Sequence, residues 1–268
     1  MAFDESFDEA WRLRYGVPAP AENADLAPFL RHRSVRKFSD QAVPESLVAS
    51  LIGCAQSAST SSNLQLWSVV SVQDADRRAR TAELCADQAQ VRNAPWFLCF
   101  IADHYRIREA ADQQGERCEG LDFTEFMLMA CMDAALAAER LVCAAEAVGL
   151  GVCYIGALRN HVEQVSEFLD LPAGAFGVFG LCLGYPSEKE TSGIKPRLGQ
   201  DQIWHRETYC QEVNVSDYDQ RMTAFYASQQ LSTSSTWTQK SARRLDGDHM
   251  TGREILRGWL TKIGMGTR

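Results

Sequence analysis

The sequence predicts a protein of mixed α and β class, because strand-length apolar runs alternate with helical segments. Two β-branched and aromatic runs, at residues 66–74 and 95–103, are separated by a charged helical stretch. A helix that is apolar on nearly every side is predicted for residues 124–148. At 268 residues, one elaborate domain is favoured over two domains.

The elements follow in order along the chain. Pro44 stands at the first position of a helix that presents Leu47, Val48 and Leu51 on one face. After the long helix, GVCYIGALRN predicts a strand and a turn, HVEQVSEFLDL predicts a helix, and AFGVFGLCLGYP predicts another strand.

The predicted helix at 124–148 carries only a thin polar stripe that includes Asp133 and Glu139. It should therefore be buried all round. Two interpretations remain open: a central core helix of a monomer, or a helix at a dimer interface.

Both ends of the chain differ from the middle. Residues 4–15 predict one short helix that a Pro/Ala connector ends, so residues 1–25 are interpreted as an N-terminal extension. Residues 26–268 form a single domain in this interpretation. From about residue 199 we expect an extended arm with one clear helix around 216–230 and a last helix at REILRGWLTKIG. An unpaired strand edge promotes aggregation. We therefore expect this arm to add a strand to a sheet, either of its own subunit or of a second subunit.

Composition excludes several classes of function. The net charge of −8 argues against nucleic acid or an anionic membrane as a partner. The apolar stretch 126–150 contains charged residues that are costly in a bilayer, so no membrane span is expected. Nine cysteines without a C-x-x-C pair are typical of reduced thiols, and the acidic start is unlike a secretory signal. We therefore expect a cytoplasmic protein.

Three segments carry the candidate chemistry: RHRSVRKF (31–38), STSSNLQLW (59–67) and GYPSEKETSGIKPRL (184–198). The usual hydrolase, P-loop and metal-site motifs are lacking, and no metal is expected. A bound redox cofactor that carries the chemistry itself suits this pattern, and FMN fits. Its phosphate would accept hydrogen bonds from His32, Ser34, Lys195 and Arg197. Taken singly, each segment also has a purely structural interpretation. RHRSVR fits a surface turn, STSSN fits a helix C-terminal loop, and KPR fits a loop end.

Four motifs occur along the chain in the same order as in one known protein family: HRSVRKFSD, SSNLQLW, GLGVCYIGALRN, and FGLCLGYP followed by KPRL. Over residues 28–268 the chain resembles the FMN-dependent nitroreductase family, and within it the oxygen-insensitive NADPH nitroreductase and flavin reductase branch. The resemblance implies that the flavin N5 carries the chemistry and that no side chain is catalytic. It implies these FMN-binding residues: His32, Arg33, Ser34, Arg36, Thr60, Ser61, Asn63, Gln88, Tyr154, Ile155, Gly156, Ala157, Lys195 and Arg197.

The resemblance also assigns roles within this set. Arg36 is expected at the pyrimidine edge of the ring, the 154–157 strand end at flavin N5, and Lys195 and Arg197 at the phosphate. Ser62 and Arg253 are implied to bind the substrate.

The implied fold is α+β, with a central mixed, mainly antiparallel sheet surrounded by helices. The implied assembly is an intertwined homodimer with an extended C-terminal arm. NADPH or NADH would donate hydride by a two-electron ping-pong mechanism, and a nitroaromatic or quinone would accept the electrons.

Three departures from the family pattern stand out. Ala157 replaces a usual Gly, the stretch between GYP and KPR is longer, and Gln229 lies near the position at which the NADPH-preferring branch has an Arg for nucleotide phosphates. Four basic residues could take the place of that Arg: Arg221, Lys240, Arg243 and Arg244. The other interpretation is that they form a solvated basic surface.

Three alternative functions stay open at this point. A flavin reductase that supplies reduced FMN would have identical motifs. A flavin-binding module without turnover would bind FMN and oxidise no NAD(P)H. A helical dimerisation protein would be colourless.

Overall fold

A computed structural model describes residues 3–21, 23–231 and 234–268. Its strands are β1 (Trp67–Val72), β2 (Trp96–Asp103), β3 (Gly151–Ile155) and β4 (Ala175–Gly184). Its α-helices are α1 (Phe7–Tyr15), α2 (Ala27–Leu30), α3 (Glu45–Gln56), α4 (Ala75–Leu84), α5 (Ala89–Asn93), α6 (Tyr105–Asp112), α7 (Thr124–Ala147), α8 (Val162–Phe168), α9 (Ser216–Ser228), α10 (Trp237–Arg244) and α11 (Leu256–Lys262).

The chain divides into two compact units. The arm unit comprises residues 1–33 and 191–250. The sheet unit comprises residues 34–190 and 251–268. The N-terminal extension thus groups with most of the loosely patterned C-terminal region.

The sheet unit is built on strands in the order β1-β2-β4-β3, each paired antiparallel with its neighbour. Every residue of β2 is buried, as its continuous apolar run predicts for a central strand. A parallel bridge joins Ser34 to Val152 of β3. The sequence-based prediction of an α+β fold with a mixed, mainly antiparallel sheet is confirmed.

Helices cover both faces of this sheet. On one face, α3 and α7 pack against side chains such as Leu98 and Val152. On the other, α4, α5 and α8 pack around Phe97 and Ile155. Gly180 of β4 is required there, because an added Cβ would lie 2.1 Å from Cζ of Phe97. The β3 side chains are divided between these two faces, with Val152 on the first and Ile155 on the second.

Within a single chain, the long helix is not buried all round. One side of α7 is buried, but Leu128, Met132 and Leu136 are 48%, 52% and 49% exposed. These three residues, spaced four apart, lie on one face of the helix. We call them the α7 stripe.

In the arm unit, α9 lies where the sequence predicts it, but α10 was not predicted. The α10 sequence WTQKSARR is polar, so apolar periodicity gives no signal for it. A capping box between Thr236 and Gln239 starts this helix. Residues 199–215 contain a short 3₁₀ turn at Gln200–Gln202 and, within the described residues, no strand.

The structure was also searched for membrane spans. No helix among the described residues is both long enough and apolar enough to cross a bilayer.

Candidate functional site

The residues predicted to bind FMN fall in both units. His32, Arg33, Lys195 and Arg197 belong to the arm unit, and the others belong to the sheet unit.

The arm unit brings the backbones of two predicted phosphate ligands together. The guanidinium of Arg14 in α1 donates from Nη2 to the carbonyl of His32 at 2.6 Å and from Nη1 to the carbonyl of Lys195 at 2.9 Å. Residues 32 and 195 are thereby held by one side chain, although they lie far apart in the sequence. The side chain of Arg197 is exposed. This cluster offers cationic groups of the kind that bind phosphate.

Arg33 is engaged differently from the other predicted ligands. Its Nη2 lies 2.7 Å from Oε1 of Glu5, and its guanidinium lies 3.9 Å from the centroid of the Phe3 ring. The Arg33 side chain is 8% exposed. An anion would have to compete with the Glu5 carboxylate for this group.

Gln229, which the resemblance leads us to expect near the position of a nucleotide-binding Arg, contacts the stretch before KPR. Its Oε1 accepts a hydrogen bond of 3.0 Å from the backbone N–H of Gly193. The long stretch before KPR is thus fastened to α9 within the arm unit.

In the sheet unit, the tract that contains Ser34 and Arg36 runs beside two other segments. The N–H of Val35 donates to Val152 of β3 at 2.8 Å. The buried carboxylate of Glu190 accepts from the N–H of Arg36 at 2.6 Å and from that of Lys37 at 2.8 Å. The backbone under Arg36 is therefore fixed, while its side chain is exposed.

The loop that contains Thr60 to Asn63 has an unusual backbone. Ser62, Asn63 and Gln65 have φ angles of 51°, 56° and 52°, in the left-handed region that non-glycine residues rarely occupy. The buried carboxylate of Asp133 on α7 accepts from the N–H groups of Ser61 and Leu66, each at 3.0 Å. Two charge-assisted hydrogen bonds to one carboxylate hold both ends of this strained loop.

Gln88 follows a second left-handed segment, formed by Ala86 and Asp87 with φ angles of 62° and 49°. The amide nitrogen of Gln88 donates to the carbonyl of Cys85 at 2.9 Å, and its oxygen accepts from Gln90. The side chain is half-buried and oriented by its local neighbours.

At the end of β3, the Tyr154 hydroxyl donates to Glu139 of α7 at 3.2 Å. Burial, followed by the charge of Glu139, raises the pKa of Tyr154 well above its usual value. Ile155 and Ala157 are buried. The Tyr154 side chain therefore braces β3 against α7 and stays protonated.

Gly156 lies beside two guanidinium groups. A Cβ added at Gly156 would lie 3.7 Å from Nη2 of Arg159 and 3.9 Å from Nη2 of Arg253. Nε of Arg253 donates to Oδ1 of the buried Asn160 at 2.9 Å. Gly252 adopts a φ of 88° close to the Asn160 carbonyl, where any Cβ would clash. The predicted substrate residue Arg253 and the predicted flavin residue Gly156 are thus neighbours.

Sequence reasoning missed several residues that shape these sites. Asp133 was noted only as part of a polar stripe, and Glu190, Arg159, Asn160 and Arg14 were assigned no role. One signal was available, since Asp133 is an acid in an otherwise apolar helix, and such residues are seldom buried without a partner.

Comparison with protein families decides the identity of the chain. The model described as "Nitroreductase family" matches residues 30–185, and "Nitroreductase family, C-terminal domain" matches residues 195–268. This chain belongs to the nitroreductase family. The N-terminal extension with α1, and with it Arg14, lies outside both matches.

Among characterised relatives, this nitroreductase-family chain is 38% identical over 204 residues to "FMN reductase (NADPH)" of Bacillus subtilis, covering 76% of this chain and 80% of the relative. It is 38% identical over 231 residues to "NADPH-flavin oxidoreductase" of Vibrio harveyi, covering 84% of this chain and 92% of the relative.

Solved structures agree with the fold. Nitroreductase A from Vibrio parahaemolyticus superposes with a TM-score of 0.82 at 35% identity, over 92% of this chain and 100% of that one. The NADPH:FMN oxidoreductase from Vibrio harveyi in complex with NAD+ superposes with a TM-score of 0.80 at 34% identity, over 92% and 100%.

Proposed function

We propose that this nitroreductase-family chain is an FMN-dependent oxidoreductase that uses NAD(P)H to reduce nitroaromatic or quinone compounds in two-electron steps. The names of its relatives, FMN reductase and NADPH-flavin oxidoreductase, support FMN as the cofactor and NADPH as a donor. When bound, FMN supplies the hydride chemistry at N5, so the protein has to bind, orient and exclude water.

The residues of each unit fit part of this cofactor. In the arm unit, His32, Lys195 and Arg197 are suited to the phosphate, because each side chain offers N–H donors and those of the cations Lys195 and Arg197 bind phosphate oxygens strongly. In the sheet unit, the predicted ring contacts are Arg36, the 60–63 loop, Gln88 and the end of β3. Arg33 remains in the proposed set, although Glu5 neutralises its guanidinium.

The proposal depends above all on the two arginines that lie beside Gly156. The guanidinium groups of Arg159 and Arg253 lie within 4 Å of the position that a Cβ would occupy there. Because Gly has no side chain, a planar ring system and an acceptor can approach the backbone at this point. Arg253, oriented by Asn160, would attract the nitro or quinone oxygens of the acceptor.

We further propose a homodimer, with the α7 stripe in its interface. Leu128, Met132 and Leu136 form a half-exposed apolar row on a helix whose other side is core. Contiguous apolar surface of this kind marks protein contacts more often than free surface.

The proposed location is the cytoplasm. All nine cysteines are free in the structure, and four of them are buried. Free thiols in such number are typical of a reducing compartment.

A flavin reductase that supplies reduced FMN to another protein is the second candidate. The printed names of the Bacillus subtilis and Vibrio harveyi relatives favour it. The two candidates share every residue discussed above and differ only in the acceptor.

The test starts with the visible spectrum of the purified protein and an anaerobic titration with NADH and with NADPH. We expect a flavin spectrum that bleaches with one donor or both. A colourless protein that takes up no FMN, or a flavin that neither donor reduces, would contradict the proposed function.

Steady-state rates with a nitroaromatic, a quinone and free FMN as acceptors then separate the two candidates. A kcat/KM that is highest for the nitroaromatic or the quinone supports the first candidate. A kcat/KM that is highest for free FMN supports the flavin reductase.

A further inference from the structure

The N-terminal extension contributes a buried arginine to the proposed phosphate cluster. Arg14 of α1 is 4% exposed. Besides the bonds to His32 and Lys195, its Nε donates to the carbonyl of Leu30 at 3.1 Å. One guanidinium therefore fastens three backbone carbonyls that come from two distant parts of the sequence.

The main chain of Arg14 reaches the third phosphate candidate. Its carbonyl accepts from the N–H of Arg197 at 2.8 Å. It also accepts from Nη1 of Arg221 at 2.8 Å, and Nη2 of Arg221 donates to the carbonyl of Arg197 at 3.1 Å. The backbones of His32, Lys195 and Arg197 are thus all tied to Arg14.

The α1 helix is well defined at both ends, so Arg14 has a fixed place. A capping box between Ser6 and Glu9 begins the helix. Gly16 ends it with a φ of 74°, and its N–H donates to the carbonyl of Arg12. A Cβ at Gly16 would lie 2.7 Å from Cδ of Arg221, which shows how closely Arg221 covers this end.

We propose that Arg14 is a positioning residue for the FMN phosphate. This inference rests on the proposed function. Arg14 fixes the backbones that carry His32, Lys195 and Arg197 before the ligand arrives, so less conformational entropy is lost on binding. It acts through these residues, because its Nε, Nη1 and Nη2 each donate to a backbone carbonyl of the segments that carry them.

Arg14 should affect the binding of the FMN phosphate and leave the binding of the ring unchanged. Riboflavin has the same ring and lacks the phosphate, so the two ligands separate the effects. A residue that only stabilises the fold would change the affinity for both.

The experiment uses the full-length apoprotein and measures the Kd of FMN and of riboflavin by flavin fluorescence. We expect Arg14→Lys, which can replace only part of the guanidinium's bonds, to weaken FMN binding about tenfold, equivalent to about 1.4 kcal/mol, with riboflavin binding unchanged. Arg12→Lys is the matched control, because Arg12 lies on the same helix, is exposed and pairs with Asp8. It should bind both ligands like the wild type.

Two outcomes of the Arg14→Lys measurement would count against the inference. Wild-type FMN affinity in a folded Arg14→Lys variant overturns it, and so does an equal loss for FMN and riboflavin. A wild-type protein that binds neither ligand overturns the proposed function itself. If Arg14→Lys does not fold, Arg221→Lys takes its place, since it removes a bond to the Arg197 carbonyl; a selective loss for FMN is again expected, and its absence overturns the inference.

Discussion

Asp133 and Ser61 are joined by a hydrogen bond of 3.0 Å from the Ser61 N–H to Oδ1 of the carboxylate. The other oxygen of Asp133 accepts from the N–H of Leu66. Between these two points the backbone passes through left-handed conformations at Ser62, Asn63 and Gln65. A buried acid on α7 therefore stabilises the conformation of the loop that is proposed to face the flavin ring.

Asp133→Asn should destabilise the protein and loosen this loop. An amide offers one oxygen acceptor, and its NH₂ group opposes the second backbone N–H, which leaves a buried donor unpaired at a cost of about 1–3 kcal/mol. Urea unfolding of the apoprotein measures the loss. Glu125→Gln, an exposed change on the same helix, is the control. Equal stability of the two variants would contradict the role of Asp133.

Glu190→Ala should also destabilise the protein, because the N–H groups of Arg36 and Lys37 lose their shared acceptor. The expected loss is about 1–3 kcal/mol in the free energy of unfolding. Glu190→Gln keeps an oxygen acceptor and should lose less. Exposed Glu188→Ala, in the same segment, should behave like the wild type. If Glu190→Ala is as stable as Glu188→Ala, the carboxylate does not support the Arg36 backbone.

The sequence predicted the strands and most helices because their apolar patterns are local. The runs at 66–74 and 95–103 became β1 and β2 with small shifts at their ends. The polar α10 was missed because a capping box begins it and its sequence lacks an apolar face. The exposure of the α7 stripe was missed because an all-round apolar helix has the same sequence in a core and at an interface.

The candidate site was predictable only in part. Motifs identified residues such as Ser34, Gly156 and Arg253, whose roles remain proposals. The residues that hold them in place were not predictable, because Asp133 acts 72 positions away from Ser61 and Glu190 acts 154 positions away from Arg36. Such pairs form only when the sheet and its helices have brought distant segments together.

Met132→Glu should dissociate the proposed homodimer. Met132 is the middle residue of the α7 stripe, and a carboxylate there would be desolvated against apolar side chains of a second subunit. We expect the dimer Kd, measured by analytical ultracentrifugation, to rise about tenfold or more. Leu245→Glu, at a residue that is 82% exposed outside α7, is the matched control. A monomeric wild type, or a Met132→Glu variant that dimerises as tightly as Leu245→Glu, would contradict this interface.

Cysteine alkylation should distinguish two groups of thiols. Burial raises the pKa of Cys85 to about 12, and it also raises the pKa of Cys99 and of Cys182 well above the usual thiol value. These thiols stay protonated and covered, and the thiolate is the reactive form. Cys54 and Cys210 are exposed. Iodoacetamide followed by peptide mass spectrometry should label Cys54 and Cys210 in the native protein, and Cys85, Cys99 and Cys182 only after denaturation. Rapid native labelling of Cys99 would contradict the packing of β2.

His104 should make the stability of the apoprotein depend on pH. The ring is fully buried at the end of β2, with Nε2 3.0 Å from the carbonyl of Phe126. Within the described residues, Nδ1 has no hydrogen-bond partner. Burial lowers the pKa of His104 from its usual value of 6.5, and the hydrogen bond to Phe126 opposes this shift in part.

The direction of the pH effect follows from proton binding. Because the folded-state pKa of His104 lies below the unfolded-state value, the unfolded chain binds a proton first as the pH falls. The stabilisation by neutral His104 is therefore complete above pH 6.5 and is lost as the pH drops below that value. We expect the free energy of unfolding to decrease between about pH 7 and pH 5.

His104→Gln can still donate to Phe126 but does not titrate, so its stability should vary less over this range. His249→Gln, at an exposed histidine, should keep the wild-type slope. Urea unfolding at each pH measures the three slopes, and identical slopes for His104→Gln and the wild type would show that another group causes the pH dependence.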